Sequence, residues 1–194
     1  THGEFYSVCD GHGGGECSKF ISAEWKEVLQ REWIATGVPK AELIPDWAQR
    51  IDNAFLAKGA SAGSTCTGCF LAPNADSATG DVHVRVMNIG DSRTIVSRQG
   101  NTDHSPKDAG ERERIEADGG FVGAGRVDGS LAVSRAFGDA EFKSNPLPKK
   151  RRVNVVPDIS DAALGKEALD FVGIVCDGVL ENGAFDNQSL VEFI

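Results

Sequence analysis

The 194-residue sequence has no basic excess: 29 acidic residues stand against 20 basic ones, a formal net charge of −9. Such a surface repels phosphate backbones, which argues against a nucleic-acid partner. There is no apolar run long enough to span a bilayer and no charged-then-apolar opening of a secretory signal. There is no internal repeat and no low-complexity block. There is no even set of cysteines either: Cys9, Cys17, Cys66, Cys69 and Cys176 make five, and four lie near apolar segments. We read them as reduced and mostly buried, which points to a cytoplasmic or nuclear setting. What is present is ordinary globular composition, 40% apolar and 25% charged, enough for one domain with a real core. The chain opens on Thr1 rather than Met, which leaves open a fragment with a lost targeting segment.

Hydrophobic patterning divides the chain into mixed elements. Glu4 to Cys9 reads as a buried strand running into the glycine-rich turn Asp10-Gly11-His12-Gly13-Gly14-Gly15. Glu16 to Trp33 has helical periodicity, with Phe20, Ile21, Trp25, Val28 and Leu29 on one face. Pro45-Asp46 is expected to open a second helix capped by Asp46. Strands are expected over Thr65–Leu71, Val82–Met87, Thr94–Val96, Val153–Val156 and Leu169–Cys176. Lys107–Asp118 reads as a helix, Lys143–Arg152 as a loop, and Asn187–Ile194 as the start of another helix. Strand-turn-strand units outnumber βα alternation, which favours an α+β layered domain over a doubly wound sheet.

Three aspartates share one setting: Asp10, Asp91 and Asp177 each end a strand beside a glycine. Turns favour Asp-Gly, so one such site would carry little information. Three together point to convergent carboxylates. Without a Cys/His cluster these call for a hard cation, Mg2+ or Mn2+, rather than zinc. Two such ions lower the pKa of a shared water and clamp a phosphate for in-line attack.

The motifs then become specific. Phe5-Tyr6-Ser7-Val8-Cys9-Asp10-Gly11-His12-Gly13-Gly14 resembles the "F.V.DGHGG" signature of the 2C-type protein phosphatases. Asn88-Ile89-Gly90-Asp91-Ser92-Arg93 resembles "N.GDSR", and Asp103-His104-Ser105-Pro106 with Glu113-Arg114-Ile115 and Gly119-Gly120 resembles "DH.P…E..RI...GG". The stretch from Arg126 to Asp139 resembles "RV.G.LAVSRA.GD", and Cys176-Asp177-Gly178 resembles "CDG". The motifs stand in family order over nearly the whole chain. The resemblance implies a four-layer α-β-β-α sandwich, two antiparallel sheets flanked by helices, over residues 1–194 as one catalytic domain. It implies Mg2+- or Mn2+-dependent hydrolysis of phosphoserine and phosphothreonine, with phosphoproteins as substrates and a monomeric enzyme. Asp10 would bridge two ions, Gly11 would offer its carbonyl to one, and Asp177 would ligate the other. Asp91 would help Asp177 hold a weaker third ion. His12 would be the general acid for the leaving oxygen, and His104 is read as structural.

Three departures accompany the resemblance. The family's upstream arginine and Glu-Asp pair would precede Thr1. The family's Asp four residues after the "CDG" aspartate is Glu181 here, which keeps the charge and lengthens the reach. Gly183 to Ser189 fits the late "G..DN.[ST]" metal motif but also fits a helix start with Asp186 or Asn187 as cap. We favour the helix start, in which case the final strands and their metal ligand are absent. These departures keep a catalytically degraded regulatory protein on the same fold as the alternative.

Other signals are set aside. Gly59-Ala60-Ser61-Ala62-Gly63 fits G-x-S-x-G, but a helix precedes it and a strand follows, the reverse of a nucleophile elbow. Cys66 and Cys69 lie at i and i+3 on a strand, so they face opposite ways and share no ion. No cysteine has an arginine six residues later, so a thiolate mechanism has no candidate. Lys149-Lys150-Arg151-Arg152 is read as a solvated loop. The alternatives are a basic flap that attracts acidic substrates, which the resemblance implies because the family carries a variable flap near this position, and a nuclear-import signal.

Overall fold

The computed structural model describes residues 3–33, 37–75, 77–78, 80–97, 99–165, 171–180 and 189. In chain order the strands are β1 (Glu4–Val8), β2 (Gly11–His12), β3 (Gly63–Ser64), β4 (Cys66–Pro73), β5 (Val82–Ile89), β6 (Arg93–Val96) and β7 (Gln99–Gly100), then β8 (Val122–Gly123), β9 (Arg126–Val127), β10 (Phe137–Gly138), β11 (Asp158–Leu164) and β12 (Val172–Val175). The helices are α1 (Glu16–Glu32), α2 (Leu43–Leu56), α3 (Ala109–Ala117) and the short α4 (Asp177–Leu180).

The main sheet has the antiparallel order β1-β4-β5-β11. Its two faces follow from the period of two along each strand. On one face Phe70, Met87 and Ile89 meet Cys17, Ile21, Trp25 and Val28 of α1 and Ile44, Trp47, Ile51 and Phe55 of α2. Phe5 stacks on Phe70 with ring centroids 4.5 Å apart. Each such fully buried large side chain contributes roughly 1.5–3 kcal/mol. On the other face Cys69, Val84 and Val86 pack against Val96, Val172 and Ile174 of a second antiparallel sheet, β12-β6-β7. The domain is thus an α+β sandwich: a helix layer, a sheet and a second sheet among the described residues. A satellite core of Ile115, Val127, Val133, Ala136, Phe142 and Val153 anchors α3 to the segment after it.

Cys66 falls in the helix-facing core and Cys69 in the intersheet core, as the strand period requires. All five cysteines are free thiols, and Cys17, Cys66 and Cys69 are buried. No helix among the described residues is long and apolar enough to cross a membrane.

Three expectations need correction. The second helix starts at Leu43, so Asp46 is not its cap. Pro45 sits in the first turn, where backbone N–H groups have no helical partner and none is lost. Asp46 instead pairs with Arg50 one turn on, at 2.9 Å. Val153–Val156 is not a strand; it makes a single bridge, Arg135 with Asn154. The ladder comes after Pro157, at Asp158–Leu164. That strand carries two aspartates, a serine and two alanines, poor β-formers. Its partner compensates: Arg85 of β5 holds Asp161 of β11 through two hydrogen bonds of 2.8 Å.

The basic run is only half solvated. Lys149 and Lys150 are exposed, but Arg151 donates to the Asn145 carbonyl and Arg152 pairs with Asp128. The helix expected over 187–194 lies outside the described residues apart from Ser189, which is helical.

Candidate active site

Three strand ends deliver the three aspartates to one cavity of about 310 Å³, lined by Asp10, His12, Thr65, Asp91, Arg126, Ser130 and Asp177 among others. β1 carries the chain to Asp10. Its backbone is pinned there, because the Asp10 carbonyl accepts from Thr65 N at 2.9 Å and from Ser64 Oγ at 3.0 Å. β5 leads into Asp91 through Gly90, whose φ of 110° and contact with the Thr65 side chain leave no room for a Cβ. His104 is buried behind that turn, its Nδ1 accepting from Gly90 N at 3.0 Å, which is a structural task. β12 leads into Cys176 and Asp177 at the start of α4.

One donor atom each from Asp10, Cys176 and Asp177 lie within 4.8 Å of one another. Asp91 lines the same cavity outside that cluster. Burial raises the pKa of Asp10, and the hydrogen bond and negative charge of Asp177 raise it further, against the opposing pull of Cys176 and His12. Burial pushes Asp91 up to about 6, reinforced by the charges of Asp177, Asp103 and Asp10 and opposed by its own backbone hydrogen bond. Two carboxylates, Asp10 and Asp91, raised by burial and by neighbouring negative charge fit a cation, which would relieve both. The donor set is mostly hard oxygen, and the Cys176 thiol engages Asp10 by hydrogen bonding. Glu181 and Asp186 lie outside the described residues.

His12 sits on β2, in a three-stranded sheet ordered β10-β3-β2. Its Nε2 donates to both oxygens of Asp139, at 2.8 and 2.9 Å. Burial disfavours the charged ring. The Asp139 hydrogen bond and the charges of Asp139, Asp91 and Asp10 outweigh that, so its pKa is raised. Gly63 of β3 faces both His12 and Gly138 across the ladders. A Cβ on Gly63 would collide with His12 Nε2 and Asp139 Oδ2 alike, so glycine there makes the contact possible.

Sequence reasoning named Asp10, Gly11, His12, Asp91, Asp177 and Glu181; Asp10, His12, Asp91 and Asp177 line one cavity, Gly11 lies in the chain between Asp10 and His12, and Glu181 is outside the described residues. It gave no role to Asp139, Arg126 or Cys176. A signal existed for Asp139: Gly138-Asp139 repeats the order of Gly90-Asp91. Ser61 is exposed between α2 and β3, in the order that excludes an elbow.

Fold and site together define an antiparallel α+β sandwich with an acidic cleft where strands of both sheets end. The chain belongs to the protein phosphatase 2C family, whose description "Protein phosphatase 2C" matches residues 1–194. It is 34% identical to Protein phosphatase 2C homolog 2 of Saccharomyces cerevisiae over 100% of this chain and 42% of that relative. It is 31% identical to probable protein phosphatase 2C 6 of Paramecium tetraurelia over 97% of this chain and 68% of that one. The crystal structure of a phosphatase from Toxoplasma gondii superposes with a TM-score of 0.79 at 26% identity, covering 93% of this chain and 69% of that chain. The chain spans about half the length or less of the fungal relatives it matches, from 42% to 52% of them.

Proposed function

We propose that this chain, read as a single catalytic domain over residues 1–194, hydrolyses phosphoserine and phosphothreonine in proteins with Mg2+ or Mn2+. The observation that carries the reading is the convergence of Asp10 and Asp177 in a cavity that also holds Asp91 and His12. Asp10, the Gly11 carbonyl and Asp177 would hold two cations; Asp91, Asp177 and Glu181 would hold a weaker third. The cations would supply an activated water and charge neutralisation for the phosphate. The chain's own groups do the rest. His12, whose charged form Asp139 favours, would give a proton to the leaving serine or threonine oxygen. With Nε2 committed to Asp139, that proton is assigned to Nδ1. Arg126, whose Nη1 donates to the Ser130 carbonyl at 2.8 Å on the cavity wall, is placed to attract the phosphate.

The substrates are phosphoproteins, met by a monomer in the cytoplasm or nucleus. The exposed pair Lys149 and Lys150 would favour acidic ones. Alanine at both should raise KM on an acidic phosphopeptide more than on a neutral one; equal effects sink that part.

The decisive test is hydrolysis of a phosphothreonine peptide with Mn2+ and with EDTA, beside Asp10→Ala. Activity that needs Mn2+ and is lost in the variant supports the reading. No activity in a folded full-length chain overturns it in favour of a degraded regulatory relative.

A further inference from the structure

Behind the His12–Asp139 contact, α2 sends an acidic side chain into the interior. Asp52 is fully buried, and Lys143 meets it with Nζ 2.8 and 2.9 Å from the two carboxylate oxygens. Arg151 Nη1 stands 3.9 Å from the same carboxylate. The pair is also tied to the backbone. Asp52 Oδ1 accepts from Gly138 N at 2.8 Å, and Lys143 Nζ donates to the Ala136 carbonyl at 2.7 Å. One ion pair thus grips both ends of the 136–138 segment.

That segment leads straight into the residue that holds His12. Gly138 has φ 74° and Asp139 has φ 52°, two successive left-handed residues. A Cβ at Gly138 would strike the Ala62 carbonyl. Such a conformation persists only where its surroundings over-determine it. An apolar pair of similar volume often serves stability as well as a buried ion pair does, so stability alone gives little reason for this one. What the apolar pair lacks is the acceptor for Gly138 N and the donor for Ala136 O.

We propose that the buried Asp52–Lys143 pair is a positioning device for the proton donor: it sets the backbone at Ala136–Gly138 so that Asp139 meets Nε2 of His12. This rests on His12 being the proton donor under the proposed function. Neither Asp52 nor Lys143 lines the cavity. Their effect should therefore reach the chemistry only through the ring.

The test uses the full chain and two variants: Asp52→Asn, which keeps an oxygen for Gly138 N, and the apolar pair Asp52→Leu with Lys143→Met. Two substrates are compared under Mn2+. A phosphothreonine peptide has a poor leaving group and needs the donated proton, whereas p-nitrophenyl phosphate does not. The apolar double variant should lose about tenfold or more in kcat on the peptide and less than about threefold on p-nitrophenyl phosphate. Asp52→Asn should stay near the wild-type ratio. In 15N-histidine spectra, the His12 Nε2 signal should move in the double variant and hold in Asp52→Asn. Equal losses on both substrates, or an unmoved His12 signal in a cooperatively folded double variant, would overturn the proposal. If the double variant does not fold, Lys143→Arg takes its place, with the same ratio and ring signal deciding. A wild-type chain that hydrolyses neither substrate sinks the functional reading, and the ring signal then decides the positioning by itself.

Discussion

Glu111 and Asp10 are both acidic side chains withdrawn from water, and the structure treats them in opposite ways. Glu111 is met by Arg114 and by Arg135, whose Nη2 lies 2.9 Å away. Burial works against its charge, yet the arginines prevail and its pKa is lowered. Asp10 meets another carboxylate, and its pKa is raised. The same division runs through the molecule: Asp161 is held down by Arg85 and His83, while Asp91 is pushed up to about 6. Paired carboxylates stabilise the scaffold. The acidic cleft holds carboxylates that repel, a cost that the cation of the proposed function would relieve.

Replacing one member of each set sharpens the contrast. Asp10→Asn should cost at least about 100-fold in Mn2+-dependent hydrolysis, more than the 10–100-fold typical of groups that only support a metal ligand. Its stability in EDTA should hold within about 0.5 kcal/mol or rise, because a repelling charge is gone. Urea unfolding in EDTA checks this, and a clear loss of stability would break the comparison. Glu111→Ala should do the reverse, destabilising by about 3 kcal/mol, because Arg114 loses its carboxylate while Arg135 keeps only that of Asp158. Between these lies the effect of the ion itself. Mn2+ at about 100 times its Kd should stabilise the wild-type chain by about 2.7 kcal/mol and Asp10→Asn by much less. Equal stabilisation of both would place the ion elsewhere.

The repelling set was the legible one. Asp10, Asp91 and Asp177 stand where an apolar strand gives way to glycine, a pattern local enough to read from neighbouring residues. The main helices and the β4–β5 hairpin were readable for the same reason: their periodicity is theirs alone. The paired set was not legible. His12 and Asp139 are 127 residues apart, and Asp52 and Lys143 are 91 apart. Nothing local marks a charged residue as destined for burial. The strand Asp158–Leu164 was hidden likewise, because it owes its stability to Arg85 on the neighbouring strand rather than to its own propensity. Arg151 and Arg152 misled as well: a run of four cations reads as solvent-facing, yet these two are half-buried ties between loops.

The smallest effect tests the paired set by pH. His104 Nε2 lies 3.2 Å from Asp158 Oδ2, near but poorly aligned for a hydrogen bond, and Arg135 Nη1 lies 2.8 Å from Oδ1. The His104 contact first, and then the Arg135 charge, lower Asp158 to about 2 despite some burial. An unfolded Asp titrates near 3.9. A lowered folded pKa means stability that is present above about pH 4 and lost as pH falls from there toward 2. The Asp158 side chain is 57% exposed, so screening leaves only about 1 kcal/mol of this contribution. Asp158→Asn should therefore lower stability by about that amount at pH 6 and converge with wild type near pH 2. Urea titrations at a series of pH values measure the difference. A gap that stays constant down to pH 2 would mean that Asp158 acts through packing and not through its charge.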